Sequence, residues 1–223
     1  MDGTGARRHA GTAYVVAPEG GEGPGVLVLH AWWGLTPFFR EVADRLADAG
    51  FVALAPDLFG GATADTAEEA QALLAGTDAT AMVNLVASSV QVLRRLPVTP
   101  DGAIGVLGFS MGASLALRAA ARDPEDVAAV SAFYGTTDVD FAPVRAAVQA
   151  HVAGRDELEA EDDAALMEAH MRLVGLNVTV HRYPGAGHWF FEEDREAAYS
   201  PTDAAAAWDR TVAFLRRHLD TTS

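Results

Sequence analysis

The stretch GVLGFSMGAS, Gly105 to Ser114, sets a short apolar run against a serine held between glycines, with small helix-forming residues beyond it. Gly108-Phe109-Ser110-Met111-Gly112 is a complete G-x-S-x-G, and its flanks supply the strand, turn and helix that this motif requires. The turn is tight, so the positions flanking the serine cannot carry bulky side chains. A helix beginning at Ser110 directs its first N–H groups toward negative charge forming beside Oγ. The alternative is a glycine-rich turn whose serine only caps a helix. Agreement of the pattern with its flanks favours an exposed, activated serine at the carboxyl end of a strand, where open α/β sheets place their ligands.

Outward from this turn, short apolar runs alternate with amphipathic or alanine-rich segments. Val26–His30, Phe51–Ala55, Ile104–Gly108, Val127–Phe133, Val148–Ala153 and Val178–Tyr183 read as strands. Most are apolar throughout, as expected when both faces of a parallel sheet are covered. Pro37–Ala49, Ala79–Arg95, Ser110–Arg122, Asp162–Val174 and Asp203–His218 read as helices, with Asp78 and Asp203 as N-caps and a shorter helix over Ala67–Ala75. Ala13–Val16 reads as a further edge strand, and Pro18–Gly25 as a turn too short for a linker. The repeated order predicts a mostly parallel, doubly wound α/β sheet with right-handed crossovers, in a single domain over residues 1–223.

Composition narrows the chemistry. Half of the 223 residues are hydrophobic, enough for one sizeable core and too few for two full domains. The net charge, 16 basic minus 31 acidic or −15, opposes nucleic acid and anionic membranes as partners. All the basic residues are Arg, which removes Schiff-base chemistry, a Ser-Lys dyad and a P-loop lysine. The absence of Cys removes disulfides, thiol nucleophiles and thiolate metal sites. No signal peptide or membrane-length apolar run is evident, so the expectation is a soluble cytoplasmic protein; monomer and homodimer are both open.

A serine hydroxyl needs a base to take its proton and a carboxylate to orient that base, and on this architecture the chain order is Ser, acid, His. His188, in Tyr183-Pro184-Gly185-Ala186-Gly187-His188-Trp189-Phe190, lies in a glycine-rich loop between the last strand and the final helix. His9, His151, His170, His181 and His218 fall on an arm, strands or helices and read as structural or solvated. Asp156, after the Val148–Ala153 strand, is the expected acid, with Asp138 as the runner-up. Glu157, Glu159, Glu161, Asp162 and Asp163 read as the solvated start of a helix. An oxyanion hole needs one N–H after the nucleophile, that of Met111, and one from the loop after an early strand. His30-Ala31-Trp32-Trp33-Gly34 supplies the second, assigned to Trp32. Trp33, Phe59, Tyr134, Trp189 and Phe190 are candidates for an apolar substrate pocket.

These residues together resemble the dienelactone hydrolase family of the α/β-hydrolase superfamily. The likeness runs through AYVVAP, HAWWGLTPFFREVADRLADAGFVALAPDLFG, IGVLGFSMGAS, HVAGRDE, YPGAGHWFF and AWDRTVAFLRRHL, nearly the whole chain. It implies an α/β-hydrolase fold and a Ser110, Asp156, His188 triad, with Trp32 and Met111 at the oxyanion; the chain has no long insertion that would form a separate lid. The chain departs from the family archetype at three places: Ser110 stands for a nucleophilic Cys, Ala31 for a Glu that activates that thiol, and Glu192 for an arginine. Loss of the glutamate is coherent with a serine, which His188 alone can activate. Glu192 predicts repulsion of a carboxylate substrate, and hence a small, neutral ester or lactone. No metal or organic cofactor is implied. An acyltransferase, a C–C or peptide hydrolase and a non-catalytic ligand-binding homologue are the rival readings.

Overall fold

The computed structural model describes residues 8–10 and 13–219. Its strands are β1 (Arg8–Ala10), β2 (Ala13–Val16), β3 (Gly25–Leu29), β4 (Val52–Pro56), β5 (Ile104–Phe109), β6 (Val127–Phe133), β7 (Ala147–Arg155) and β8 (Val178–Gly187). Its helices are α1 (Pro37–Asp48), α2 (Ala67–Gly76), α3 (Ala79–Arg94), α4 (Met111–Arg122), α5 (Glu161–Leu173) and α6 (Pro201–Leu219). The strands form one sheet in the order β1-β2-β4-β3-β5-β6-β7-β8. Pairings β1–β2 and β2–β4 are antiparallel, and the others are parallel.

The continuous apolar runs exist because each central strand buries both of its faces. Val26 and Val28 of β3, Ala53 and Ala55 of β4, and Leu107 and Phe109 of β5 enter one core with Phe39, Val42 and Leu46 of α1 and Leu215 of α6. Their alternate neighbours Leu27, Leu29, Val52, Leu54, Ile104 and Val106 enter a second core with α3, α4 and Met167 and Met171 of α5. Each of the larger of these side chains contributes roughly 1.5–3 kcal/mol by leaving water, so a one-residue register slip, which exchanges the two sets, is strongly disfavoured. Capping agrees with the sequence at Asp78, whose Oδ1 accepts from the amides of Thr80 and Ala81 at 2.8 and 3.3 Å.

The topology positions a site. From β3 the chain passes to β4 on one side, then returns across β3 to β5 on its other side. At this switch the carboxyl ends of β3 and β5 lie side by side, with Leu29 paired to Gly108. The loop His30–Gly34 and the turn at Ser110 are therefore neighbours, the geometry that leaves a crevice for a ligand.

The structure corrects three expectations. Arg8–Ala10, read as part of an arm, is a strand. α6 begins at Pro201, and Asp203 lies in its first turn, where it accepts from the Ser200 hydroxyl at 2.8 Å. Proline at the first helical position needs no N–H partner and has its φ already set, so it starts the helix earlier than Asp203 alone suggests. Thirdly, Pro184–Gly187 is strand and not loop: β7 continues past Ala153 and pairs Arg155 with Gly187 after a register shift. A Cβ at Gly154 would meet Pro184 Cα at 2.6 Å, so the glycine permits this extension. Among the described residues no single helix is long and apolar enough to cross a membrane.

Candidate active site

Ser110 sits at the turn from β5 to α4 with φ 52° and ψ −116°, a conformation L-residues rarely adopt. Such a residue costs of order 1–3 kcal/mol and persists only where its surroundings over-determine it. Here they do. A Cβ on Gly108 would meet Gly112 O at 2.2 Å, and one on Gly112 would meet Leu29 O at 2.2 Å, which accounts for both motif glycines. Gly135, just beyond β6, supports the turn from below: its Cβ would meet Ser110 O at 2.4 Å and Ala113 Cβ at 2.8 Å. Sequence reading passed over Gly135; its place just past the end of a central strand's buried run was the available signal. Gly135→Ala must displace Ser110, so we expect a loss of roughly 1–3 kcal/mol, read as a fall in Tm of roughly 2–12 °C, together with slower acylation of Ser110.

The three residues expected to act together are brought together. His188 Nε2 lies 2.8 Å from Ser110 Oγ. Its Nδ1 lies 2.9 and 2.8 Å from the two carboxylate oxygens of Asp156. An Asp acceptor there requires Nδ1 to be protonated, leaving Nε2 free to accept from the serine hydroxyl. The β7–β8 extension makes this possible, because pairing Arg155 with Gly187 puts the next residues, Asp156 and His188, beside each other. Asp156 Oδ1 also accepts from the amides of Leu158 and Glu159, both at 2.9 Å. Burial by itself raises the Asp156 carboxyl, but the hydrogen bond and charge of His188, with these amides, outweigh it and hold the group below its ordinary value. Asp138 is fully exposed and pairs with Arg118 at 3.4 Å, and among the described residues the side-chain hydrogen-bond partners of His188 are Asp156 and Ser110.

Among the described residues the backbone N–H groups of Trp32 and Met111 have no protein acceptor. They flank the switch point beside Ser110. The loop carrying Trp32 is pinned by His30, which is fully buried and was not singled out from the sequence. Its Nδ1 donates to Ala31 O at 2.7 Å and its Nε2 accepts from the Leu58 amide at 3.1 Å. Burial lowers the His30 pKa to about 4, against the opposing pull of the Ala31 carbonyl and Asp57, so the ring stays neutral and keeps both bonds.

The expected pocket needs correcting. Trp33, Tyr134 and Phe190 are only 4 %, 2 % and 0 % exposed. Phe190 packs against Tyr183 with ring centroids 4.7 Å apart, inside the core. Trp33 lies under Trp189, 5.1 Å away, and under the Arg195 guanidinium, 4.0 Å above its ring. Period-2 alternation past a strand end could not say which of these aromatics turns inward. Trp32 and Trp189 are partly exposed and stack at 6.0 Å. Phe59, also partly exposed, packs on His30 at 5.4 Å. A groove of about 600 Å³ opens beside His188 and Trp189, walled by Arg155, Leu158, Tyr199 and Pro201.

Glu192 also departs from expectation. It is fully buried and accepts from the Tyr134 hydroxyl at 2.8 Å, so it does not face a substrate as an exposed anion. Burial is the largest cause lifting its pKa to about 8, and the group is mostly uncharged at neutral pH. The repulsion argued against a carboxylate substrate therefore does not arise from this residue.

Comparison with known proteins places the chain. Residues 12–219 match the family model described as the dienelactone hydrolase family. Protein usf of Aquifex pyrophilus is 34 % identical, the match covering 92 % of this chain and 93 % of that protein. A carboxymethylenebutenolidase of Rhodococcus opacus is 30 % identical over 89 % of this chain and 83 % of that one. A dienelactone hydrolase structure from Anabaena variabilis superposes with a TM-score of 0.71 over 97 % of each chain at 23 % identity, a likeness of fold. With its eight-stranded sheet and the match along almost its whole length, the chain belongs to the dienelactone hydrolase family, as a carboxylic ester hydrolase on the α/β-hydrolase fold.

Proposed function

We propose that the protein is a serine hydrolase of small carboxylic esters or lactones, working through an acyl-enzyme on Ser110. The unbroken chain from Ser110 Oγ through His188 to Asp156, with contacts of 2.8 to 2.9 Å, carries this reading. His188 Nε2 takes the hydroxyl proton as Oγ attacks the ester carbonyl. The carbonyl oxygen, now an anion, is met by the Trp32 and Met111 amides and by the N-terminus of α4. His188 then returns the proton to the leaving alkoxide; in a lactone that alkoxide stays tethered to the acyl group. Water deprotonated by His188 attacks the acyl carbon, the C–Oγ bond breaks, and His188 returns the proton to Ser110 Oγ, releasing the acid. Asp156 holds the tautomer and stabilises the imidazolium. The groove beside His188 takes the substrate body, with Trp189, on which Trp32 stacks, in its wall.

The match to a carboxymethylenebutenolidase supports a lactone among the substrates. A cytoplasmic location is our reading; the absence of Cys fits either side of a membrane. Stopped-flow reaction with p-nitrophenyl acetate, followed by intact mass, tests the proposal. We expect a burst of p-nitrophenol stoichiometric with enzyme and an acetyl group on Ser110. Linear release without a trapped acetyl group on any residue would remove the acyl-enzyme. Added methanol separates hydrolysis from acyl transfer: methyl acetate forming in preference to acetate would establish a transferase.

A further inference from the structure

Three loops must hold their relative positions for the site to work: His30–Gly34 with the Trp32 amide, Phe133–Gly135 beneath Ser110, and the turn that follows His188. One buried side chain belongs to the third, is bonded to the second and lies near the first. Glu192 belongs to the histidine turn, its amide donating to Trp189 O at 2.9 Å. Its Oε1 accepts from the hydroxyl of Tyr134, whose ring lies 5.0 Å from that of His188. Its other oxygen, Oε2, is buried with no hydrogen-bond partner among the described residues, and so is the indole Nε1 of Trp33 in the first loop. The Trp33 indole lies close enough to this carboxyl to favour its charged form.

The backbone around the hub is strained. Ser110, Tyr134 and Trp189 have φ of 52°, 36° and 61° and are the positive-φ non-glycine residues among those described. One occupies each of the turns after β5, β6 and β8. Tyr134 is further tied by its amide to His151 O at 2.8 Å, while Ser110 N donates to Phe133 O at 2.9 Å. A strained conformation needs fixed surroundings, and a buried carboxyl bonded across two loops supplies them at the end that the sheet does not reach.

We propose that Glu192 is a positioning residue, clasping the histidine turn to Tyr134 and to Trp33 so that His188, Ser110 and the oxyanion loop stay in register. This deepens the serine-hydrolase reading and its catalytic part rests on it. The charged and titratable groups around Glu192 are Tyr134 from the end of β6, Asp194 and Arg195 from its own turn, and Asp156 and His188 beyond the tyrosine ring. Tyr134 stays a donor because burial and the neighbouring carboxyl push its own pKa well up. The Glu192 pKa of about 8 makes the clasp neutral below that pH and charged above it.

The test compares wild type with Glu192→Ala, Glu192→Gln and Tyr134→Phe, following p-nitrophenyl acetate kinetics, fluorophosphonate labelling and tryptophan emission from pH 6 to 10. We expect Glu192→Ala and Tyr134→Phe to lower kcat and labelling at least tenfold, with KM changed less than threefold. Glu192→Gln, which keeps an acceptor for Tyr134, should recover most of that loss. Wild-type emission should titrate near pH 8 through the adjoining Trp33, and both Glu192 variants should lack that transition. Normal turnover in folded Glu192→Ala, or equal losses in the Gln and Ala variants, would overturn the proposal. Should wild type fail to label at all, the serine-hydrolase reading falls and emission decides the clasp: a transition near pH 8 that Glu192→Gln abolishes sustains it, and its absence or persistence in that variant refutes it.

Discussion

Ser110→Ala should lower kcat for p-nitrophenyl acetate by about four orders of magnitude or more and abolish the fluorophosphonate adduct, with Tm nearly unchanged. Among the described residues Oγ makes one hydrogen bond, the 2.8 Å bond to His188 Nε2, and Ser110 is only partly buried, so removing a single oxygen costs little packing. The backbone strain at φ 52° belongs to the turn and remains in the variant. Intact mass after labelling gives the first readout and initial rates the second. An adduct that persists in the variant would move the nucleophile elsewhere; retained turnover without an adduct would show that the hydrolysis does not pass through Ser110.

Asp156→Asn should cost about 10⁴-fold in kcat while leaving the protein folded. Asparagine Oδ1 can still accept from the Leu158 and Glu159 amides, so the loop keeps its local bonds. Its Nδ2, however, is a donor, and one carboxylate acceptor now facing His188 Nδ1 is lost. If the amide donates to Nδ1, the proton moves to Nε2, the atom that must accept from Ser110. Asp138→Asn is the control: that side chain is fully exposed and its pair with Arg118 lies in water, where screening leaves such pairs little weight. Its kcat should stay close to that of wild type. A large loss in the Asp138 variant with none in the Asp156 variant would reverse the assignment of the acid.

Stability should carry the mark of Glu192 in its pH dependence. Its pKa is raised on folding, from 4.5 to about 8. The folded state thus holds a proton that the unfolded state has released across that window. The stabilising contribution is complete below the lower value and is lost as pH rises through the upper one. Wild-type Tm should therefore fall more between pH 5 and 8 than that of Glu192→Gln, by several degrees in differential scanning calorimetry. Parallel curves for the two proteins would mean that the carboxyl is charged in the folded state as well.

Local patterning carried the recognition of the central sheet. β3, β5 and β6 were legible as apolar runs because residues on both faces are buried. The G-x-S-x-G turn was legible because a tight strand-to-helix turn is what requires glycine on each side of a serine at a strand end. Asp156 and His188 could be nominated by chain order alone. Their meeting could not be read from the chain, because it depends on β7 and β8 extending past Ala153 with a register shift, and register is a property of two strands far apart in sequence.

The aromatic residues show the limit most sharply. Trp32, Trp33, Trp189 and Phe190 look alike as sequence, yet Trp32 and Trp189 are partly exposed while Trp33 and Phe190 are buried. Beyond a strand end there is no period to separate the two classes; neighbours from other loops decide. Glu192 is the same case in polar form. As sequence it was an anion four residues past a histidine, and only the tertiary structure surrounds it with apolar groups and a tyrosine hydroxyl, favouring its neutral form. Strand identity and the G-x-S-x-G turn follow from contacts a few residues apart, which a chain encodes locally. Register, burial beyond strand ends and the charge state of a buried carboxyl follow from which distant segments close over them, and that is settled only when the whole core packs.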